Sequence, residues 1–249
     1  MSSVKSAQRV LELLEFFAEE RRAASVGEIA HTLAWPQSST SVLLKCLADA
    51  GYFDHDLRRG MYVPNVRLAL ATAWIQEHLY SESNLLRLME QVQAQSGHTV
   101  MIAHRRGVQV RYLHVLQATR EGRFMARMGA LRPLFRSAAG KMLLTTLTDR
   151  EMAALLRRAN GQESDPLHRR DLEQIRQEVS AVRRLGYAMS AGTATPGAAA
   201  LAILFPAGTG REPMTLSLGG PVREIEQERE HLLQVLNDAV EPLRRIVAG

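Results

Sequence analysis

At 249 residues, with 46% apolar and 23% charged positions, the chain is long enough for two ordinary domains and can bury a core, which excludes a disordered or fibrous protein. Even the apolar run 198–206 is about half of the roughly 18 to 20 residues that a membrane-spanning helix needs, and the start Met-Ser-Ser-Val-Lys-Ser has no apolar core before a cleavage site, so cytoplasm is the expected compartment. The net charge is +5, yet residues 1–80 hold 8 Lys and Arg against 9 Asp and Glu while residues 81–249 hold 23 against 17, so bulk charge argues for no nucleic-acid contact by the first part.

Val10, Leu13, Leu14 and Phe17 recur at helical spacing, predicting an amphipathic helix over 4–20. Ser25-Val-Gly-Glu28 is a capping box that starts a short second helix with Ile29, Ala30 and Leu33 inward, because the two side chains satisfy orphan amides at a helix start. Pro36, read as the first helical residue, opens a third helix that ends at Gly51. Its apolar side is Leu43, Leu44, Leu47 and Ala50, and its polar side is Gln37, Ser38, Ser39, Ser41 and Lys45. Cys46, the single cysteine, excludes an internal disulfide and is expected in buried packing. Tyr52-Phe53 and Met61-Tyr-Val63 read as two short strands around the turn His55–Gly60, which carries Arg58 and Arg59 at its tip. Three helices and a hairpin are the parts of a winged helix-turn-helix, with 1–65 as its span. There the two arginines either reach phosphates and a minor groove or sit on a solvated turn.

Residues 66–80, with Leu68, Leu70, Ala71, Trp74, Ile75 and Leu79, predict a linker helix whose apolar face calls for a partner. A second copy of the chain is preferred over the C-terminal part of the same chain. Residues 81–249 then alternate helix and strand: a helix over 84–96, strands over 99–104 and 108–115, and helices over 137–147, 149–159 behind the capping box Thr148-Asp-Arg-Glu151, and 168–185. Strands near 199–205 and 214–218 and a last helix over 222–247 follow. This pattern predicts an α+β domain around a central antiparallel sheet.

Enzyme readings fail on spacing. Around Gly140-Lys141 a phosphate loop would need Gly and Ser or Thr where Phe135 and Met142 stand. Ser137 and Lys141 are four apart rather than three, so Ser137 is a helix cap, and Gly219-Gly220-Pro221 is a strand-ending turn. The eight histidines, His98, His104 and His114 among them, have no metal-ligand spacing. No catalytic residue, cofactor or metal is expected. A binding module of other purpose and an enzyme with an unrecognised site remain the competing readings.

The order of pieces resembles the IclR family of transcription regulators over nearly the whole chain. The residues that carry this are Ser6-Ala-Gln-Arg9 to Leu14, Glu28-Ile-Ala, Pro36-Gln-Ser-Ser39, Leu44-Lys-Cys-Leu47 and Gly51-Tyr52, then Gly129 to Leu134, Ala139-Gly-Lys141, Arg183 to Tyr187, Gly197 and Gly220-Pro221. The resemblance implies a winged helix, a linker helix and an effector-binding domain similar to a GAF domain. It implies a homodimer or dimer of dimers on palindromic double-stranded DNA, with half-sites about one helical turn apart or a multiple of it. On this reading Gln37, Ser38, Ser39, Ser41, Val42 and Lys45 form the recognition face, joined by Arg9, Arg58 and Arg59. Val42 stands where relatives commonly have Arg, which opens contact with a thymine methyl and an A·T-rich operator.

The same resemblance places an effector pocket among Phe124 to Ala139, the loop Ser190 to Thr195 and Ser217 to Gly219, with Phe124, Arg132, Ala138, Ala139, Ser190, Thr193, Ser217 and Gly219 as its residues. Ser190-Ala-Gly-Thr193 lacks the acids that many relatives carry there. Arg120, Arg123, Arg127, Arg132 and Arg136 stand against one acid, Glu121. That density suits an anionic ligand, gripped by a guanidinium through paired hydrogen bonds, or else a solvated or tetramer-forming face. Arg132 is the expected ligand contact, and an aromatic carboxylate is preferred over a small oxoacid such as pyruvate or glyoxylate.

Overall fold

The computed structural model describes residues 4–71, 85–119, 125–206 and 212–248. The chain divides into two compact units, Met1–Glu82 and Ser83–Gly249.

In the first unit, α1 (Lys5–Glu20), α2 (Val26–Thr32) and α3 (Gln37–Asp49) surround a small antiparallel sheet of β1 (Ala24–Ser25), β2 (Phe53–Asp56) and β3 (Met61–Pro64), in the order β1-β3-β2. Leu13, Phe17, Ile29, Leu44, Phe53 and Tyr62 form the core. Phe17 meets Phe16 and Phe53 edge to face, with ring centres 5.1 and 5.4 Å apart, the arrangement that the ring quadrupole favours. Ser25 ends β1 and caps α2: its hydroxyl accepts the Glu28 amide at 3.3 Å, and the Glu28 carboxylate accepts the Ser25 amide at 2.8 Å.

Pro36 lies one position earlier than expected: its ψ of 130° is extended, which makes it the N-cap and Gln37 the first helical residue. Ala50 and Cys46 are exposed, against expectation. On α3 the inward stripe runs through Thr40, Leu43, Leu44, Leu47 and Ala48, which turns position 46 outward with Val42, Lys45 and Asp49. The linker helix predicted over 66–80 is described only at its start, the helical residues 66–71 (α4); Trp74, Ile75 and Leu79 lie outside the described residues.

The second unit is built on six antiparallel strands: β4 (Thr99–Arg106), β5 (Gln109–Leu116), β6 (Leu131–Pro133), β7 (Ala188–Ala191), β8 (Ala198–Phe205) and β9 (Met214–Pro221). Their order is β6-β5-β4-β9-β8-β7, so the central antiparallel sheet expected from the pattern is present. One face packs on α6 (Ala138–Leu144), with α7 (Asp149–Gln162) and α8 (Leu172–Leu185) beyond it; the other packs on α5 (Leu85–Ser96), α9 (Val222–Gln227) and α10 (Arg229–Ala248). Alternation along β4 sends Met101 and Ala103 into the α6 side, and both faces are buried, which is why this strand reads as an almost continuous apolar run.

Three expectations need correction here. β6 and β7 were not expected, because a three-residue strand ending in Pro and an Ala-Met-Ser-Ala strand lack β-branched residues; each exists by pairing with its neighbour, β5 or β8. Ser190 and Ala191 therefore sit in a strand rather than a loop. The last helix is two helices with a break at Glu228, whose carboxylate lies 3.4 Å from Nε2 of the buried His98.

Candidate functional site

The outward side of α3 is held by its first turn. The Pro36 carbonyl accepts the Thr40 amide at 3.1 Å and the hydroxyls of Ser39 and Thr40 at 3.0 Å each. Thr40 is buried, and the Ser39 hydroxyl proton is directed inward, leaving its oxygen as an acceptor. Gln37, Ser38 and Lys45 are exposed, Ser39 and Ser41 half-buried, and Val42 is 69% exposed between them. Ser38, Ser41, Val42 and Lys45 follow three- and four-residue steps, so one strip of surface carries them. Arg9, on α1, places its guanidinium 5.3 Å from the Trp35 ring centre, just ahead of α3.

The hairpin tip is ordered by Asp56, whose carboxylate accepts the amides of Arg58 at 2.9 Å and Arg59 at 3.2 Å. Gly60 closes the turn at φ 65°, a value that costs glycine nothing. Both arginine side chains project from it, that of Arg59 82% exposed. Sequence reasoning missed Asn65 and Arg67. Arg67 donates to the Ala50 carbonyl at 3.0 Å and lies 4.9 Å over the Tyr52 ring, while Asn65 donates to the Gly51 carbonyl at 3.0 Å. The start of α4 is thereby fastened to the end of α3.

In the second unit a small cleft lies between the sheet and the start of α6. Met101 and Tyr112 form one wall, Ser137, Ala138 and Ala139 another, with Ser190, Ala199 and Ser217 from three further strands. A Cβ at Gly140 would stand 1.9 Å from the Leu134 carbonyl oxygen, so α6 can come this close to the strand segment only with glycine there. Arg132 enters from β6. Its guanidinium lies 5.3 Å from the Tyr112 ring centre and donates through Nη1 to the Leu131 carbonyl at 2.9 Å. Its Nε, and the Ser217 hydroxyl, are buried without a hydrogen-bond partner among the described residues. Burial pushes the Tyr112 hydroxyl above its ordinary pKa, with Arg132 pulling the other way, so this phenol is neutral.

Of the expected pocket residues, Arg132, Ala138, Ala139, Ser190 and Ser217 line one cleft. Thr193 and Gly219 are not among its lining. The Thr193 hydroxyl donates to the Arg136 carbonyl at 2.8 Å, and Gly219 is paired in β9 with Thr99 and Ala200. Phe124, with Arg120 and Arg123, lies outside the described residues. The arginine group is not one cluster: Arg127 is exposed, and Arg136 meets Glu163 at 3.5 Å on the other side of the 131–137 segment. Met101 and Tyr112 carried no sequence signal, since both read as ordinary strand residues.

Two family models match the chain, the IclR helix-turn-helix domain over residues 6–56 and the bacterial transcriptional regulator IclR C-terminal domain over residues 80–245. The chain belongs to the IclR family. Among its relatives is the HTH-type transcriptional repressor AllR of Escherichia coli, 24% identical over 229 residues, which span 90% of this chain and 83% of that one. The Thermotoga maritima IclR structure shares the fold with a TM-score of 0.67 at 18% identity, covering 99% of this chain and 100% of that chain. The effector domain of the IclR regulator from an Acinetobacter species has a TM-score of 0.62 at 27% identity, covering 68% and 98%. This IclR-family protein is therefore a DNA-binding transcription regulator with an effector-binding domain, and the family's members are regulators rather than enzymes. Among the described residues no helix is long and apolar enough to cross a membrane, and no group of His, Cys, Asp and Glu could hold a metal ion.

Proposed function

We propose that this regulator senses a small organic acid through Arg132. The observation that carries the reading is the buried, unpartnered Nε of Arg132, in a cleft that the unpartnered Ser217 hydroxyl also lines. A buried guanidinium nitrogen without an acceptor costs free energy, and a carboxylate supplies the acceptor. The room for water beside it is about 20 Å³, where one water needs roughly 10–15 Å³. A short oxo- or hydroxy-acid replaces one or two waters there, whereas an aromatic ring requires the walls to part. The cleft size therefore favours the short acid over the aromatic one.

On the DNA side, the strip Gln37, Ser38, Ser39, Ser41, Val42 and Lys45 enters the major groove of a palindromic operator, with Arg9, Arg58 and Arg59 on flanking phosphates and the minor groove. Two copies paired through the linker helix, as a homodimer or dimer of dimers in the cytoplasm, set the spacing of the two strips. The acid shifts that pairing and hence the operator affinity of a catabolic operon. The relatives' name supports repression as its sign.

The test has two arms. Glyoxylate, pyruvate, lactate and benzoate, with their amides, are screened by thermal shift: the short acids raise the melting temperature of the wild type and not of Arg132→Ala, since a ligand of the folded state must stabilise it. Stabilisation by the neutral amides alone ends the acid reading. In gel shifts with the DNA flanking the protein's own gene, the stabilising acid changes the retarded fraction, and the double variant Lys45→Ala, Arg59→Ala binds more weakly. Unchanged affinity in that variant removes the proposed DNA face.

A further inference from the structure

The 131–137 segment separates two clefts. Arg132 and Ser137 face the small one, whereas Pro133 to Arg136 line a second, of about 230 Å³, against the start of β5, the end of α7 and the turn that follows it. Small-ligand sites run from roughly 300 Å³ upward for drug-sized compounds, so this volume suits a ligand the size of an amino acid.

Its charges are of both signs and loosely joined. Arg136 Nη2 and Glu163 Oε2 are 3.5 Å apart, with side chains 17% and 24% exposed. Charge-assisted contacts of this kind close to about 2.7–2.9 Å, so the pair is a loose one; of the other basic lining residues, His168 places Nδ1 3.9 Å from Glu163 Oε1 and Arg170 pairs with Glu178. Arg136 and Glu163 are both held from behind. Glu163 Oε1 accepts the Asp165 amide at 3.2 Å, and the Arg136 carbonyl accepts the Thr193 hydroxyl at 2.8 Å. Asn160 clamps the main chain of Arg170 from both sides, donating to its carbonyl at 2.8 Å and accepting its amide at 3.0 Å. The walls are thus preformed, and buried Phe135 adds an apolar surface beside the charges.

We infer that this cleft is a second small-molecule site, for an α-amino acid: its carboxylate pairs with Arg136, its ammonium with Glu163, and its apolar side chain packs on Phe135. A simple anion meets Glu163, and a simple cation meets Arg136; a zwitterion satisfies both. The site does not depend on which acid Arg132 binds. It does reach the first cleft, because Thr193, which holds the Arg136 carbonyl, precedes the lining residues Ala194 and Thr195.

Calorimetry on the full chain tests this with the twenty L-amino acids, and with the matching 2-oxo acid and amine of any that binds. At least one aliphatic amino acid binds, and its oxo acid and amine bind at least tenfold more weakly. Arg136→Gln and Glu163→Gln each weaken binding tenfold or more, and Arg132→Ala leaves it unchanged. Gln109→Trp, a substitution of an exposed lining residue that fills the cleft without touching the charges, removes binding even if the charge variants fold poorly. The inference is overturned if no amino acid binds, if binding survives Gln109→Trp, or if it disappears with Arg132→Ala.

Discussion

The two units use arginine in opposite ways. At the hairpin tip Arg58 and Arg59 stand in solvent, their backbone amides tied down by Asp56, whose carboxylate also lies 3.9 Å from Arg59 Nε. In the second unit Arg132 is folded against Tyr112 and Arg136 against Glu163. An exposed guanidinium acts at long range, is screened by salt and suits a phosphate backbone. A desolvated one acts only at contact and discriminates by geometry. Residues 1–80 carry no net positive charge and the excess lies beyond them, so the placement of a few arginines, not the balance of each unit, separates the exposed guanidiniums of the hairpin from the packed ones of the second unit.

That contrast can be broken at several strengths. The largest effect is expected at Gly140→Ala, which drives a Cβ into the Leu134 carbonyl and should cost on the order of 3 kcal/mol by overpacking. Chemical denaturation should show the loss confined to the second unit; a shift of both units together would mean that they do not unfold separately. Next, Arg132→Ala should weaken acid binding roughly 10- to 100-fold, as expected for a charge-assisted hydrogen bond of about 1.5–3 kcal/mol, while the ligand-free protein keeps its operator affinity. Arg59→Ala should do the reverse: acid binding is unchanged, and the salt dependence of operator affinity falls by roughly 0.9 per lost phosphate contact. A salt-independent loss would take Arg59 away from the phosphates.

The smallest effects compare the two capping boxes. Ser25→Ala and Thr148→Ala should each cost about 1 kcal/mol, one in each unit. Backbone amides, Ser25 for Glu28 and Thr148 for Glu151, hold these two carboxyls below their ordinary pKa. A depressed carboxylate contributes stability that is present above its unfolded pKa, about 4.3, and lost as pH falls through the lower folded value. The Ser25 hydroxyl also donates to the Glu28 carboxylate, at 2.9 Å, so part of the Ser25→Ala deficit should shrink in acid; a deficit that does not shrink would leave only the bond that the hydroxyl accepts from the Glu28 amide.

Legibility followed distance along the chain. Both capping boxes, the core stripe of α1 and the polar strip of α3 were readable, because each depends on residues three or four apart whose geometry the helix dictates. Cys46 shows the limit of a residue-type tendency: free cysteine favours burial, but Leu44 and Leu47 claim the inward side of α3 and leave position 46 outside. Arg132 was readable as one of a dense group, yet nothing local distinguished it from Arg136. β6 and β7 were missed because their strand character comes from their partners.

What the sequence by itself determined is the order of most elements, the winged helix and its outward strip, and the family to which the chain belongs. What only the tertiary structure decided is the make-up of the clefts: which arginine faces which, that Ser190 and Ser217 line the same one as Arg132, and that Tyr112 and Met101 wall that space. The physical reason is the sheet. Its register brings residues more than a hundred positions apart into one cleft, as when β4 pairs Met101 with Ser217, and a slip of one residue would turn every such side chain to the opposite face.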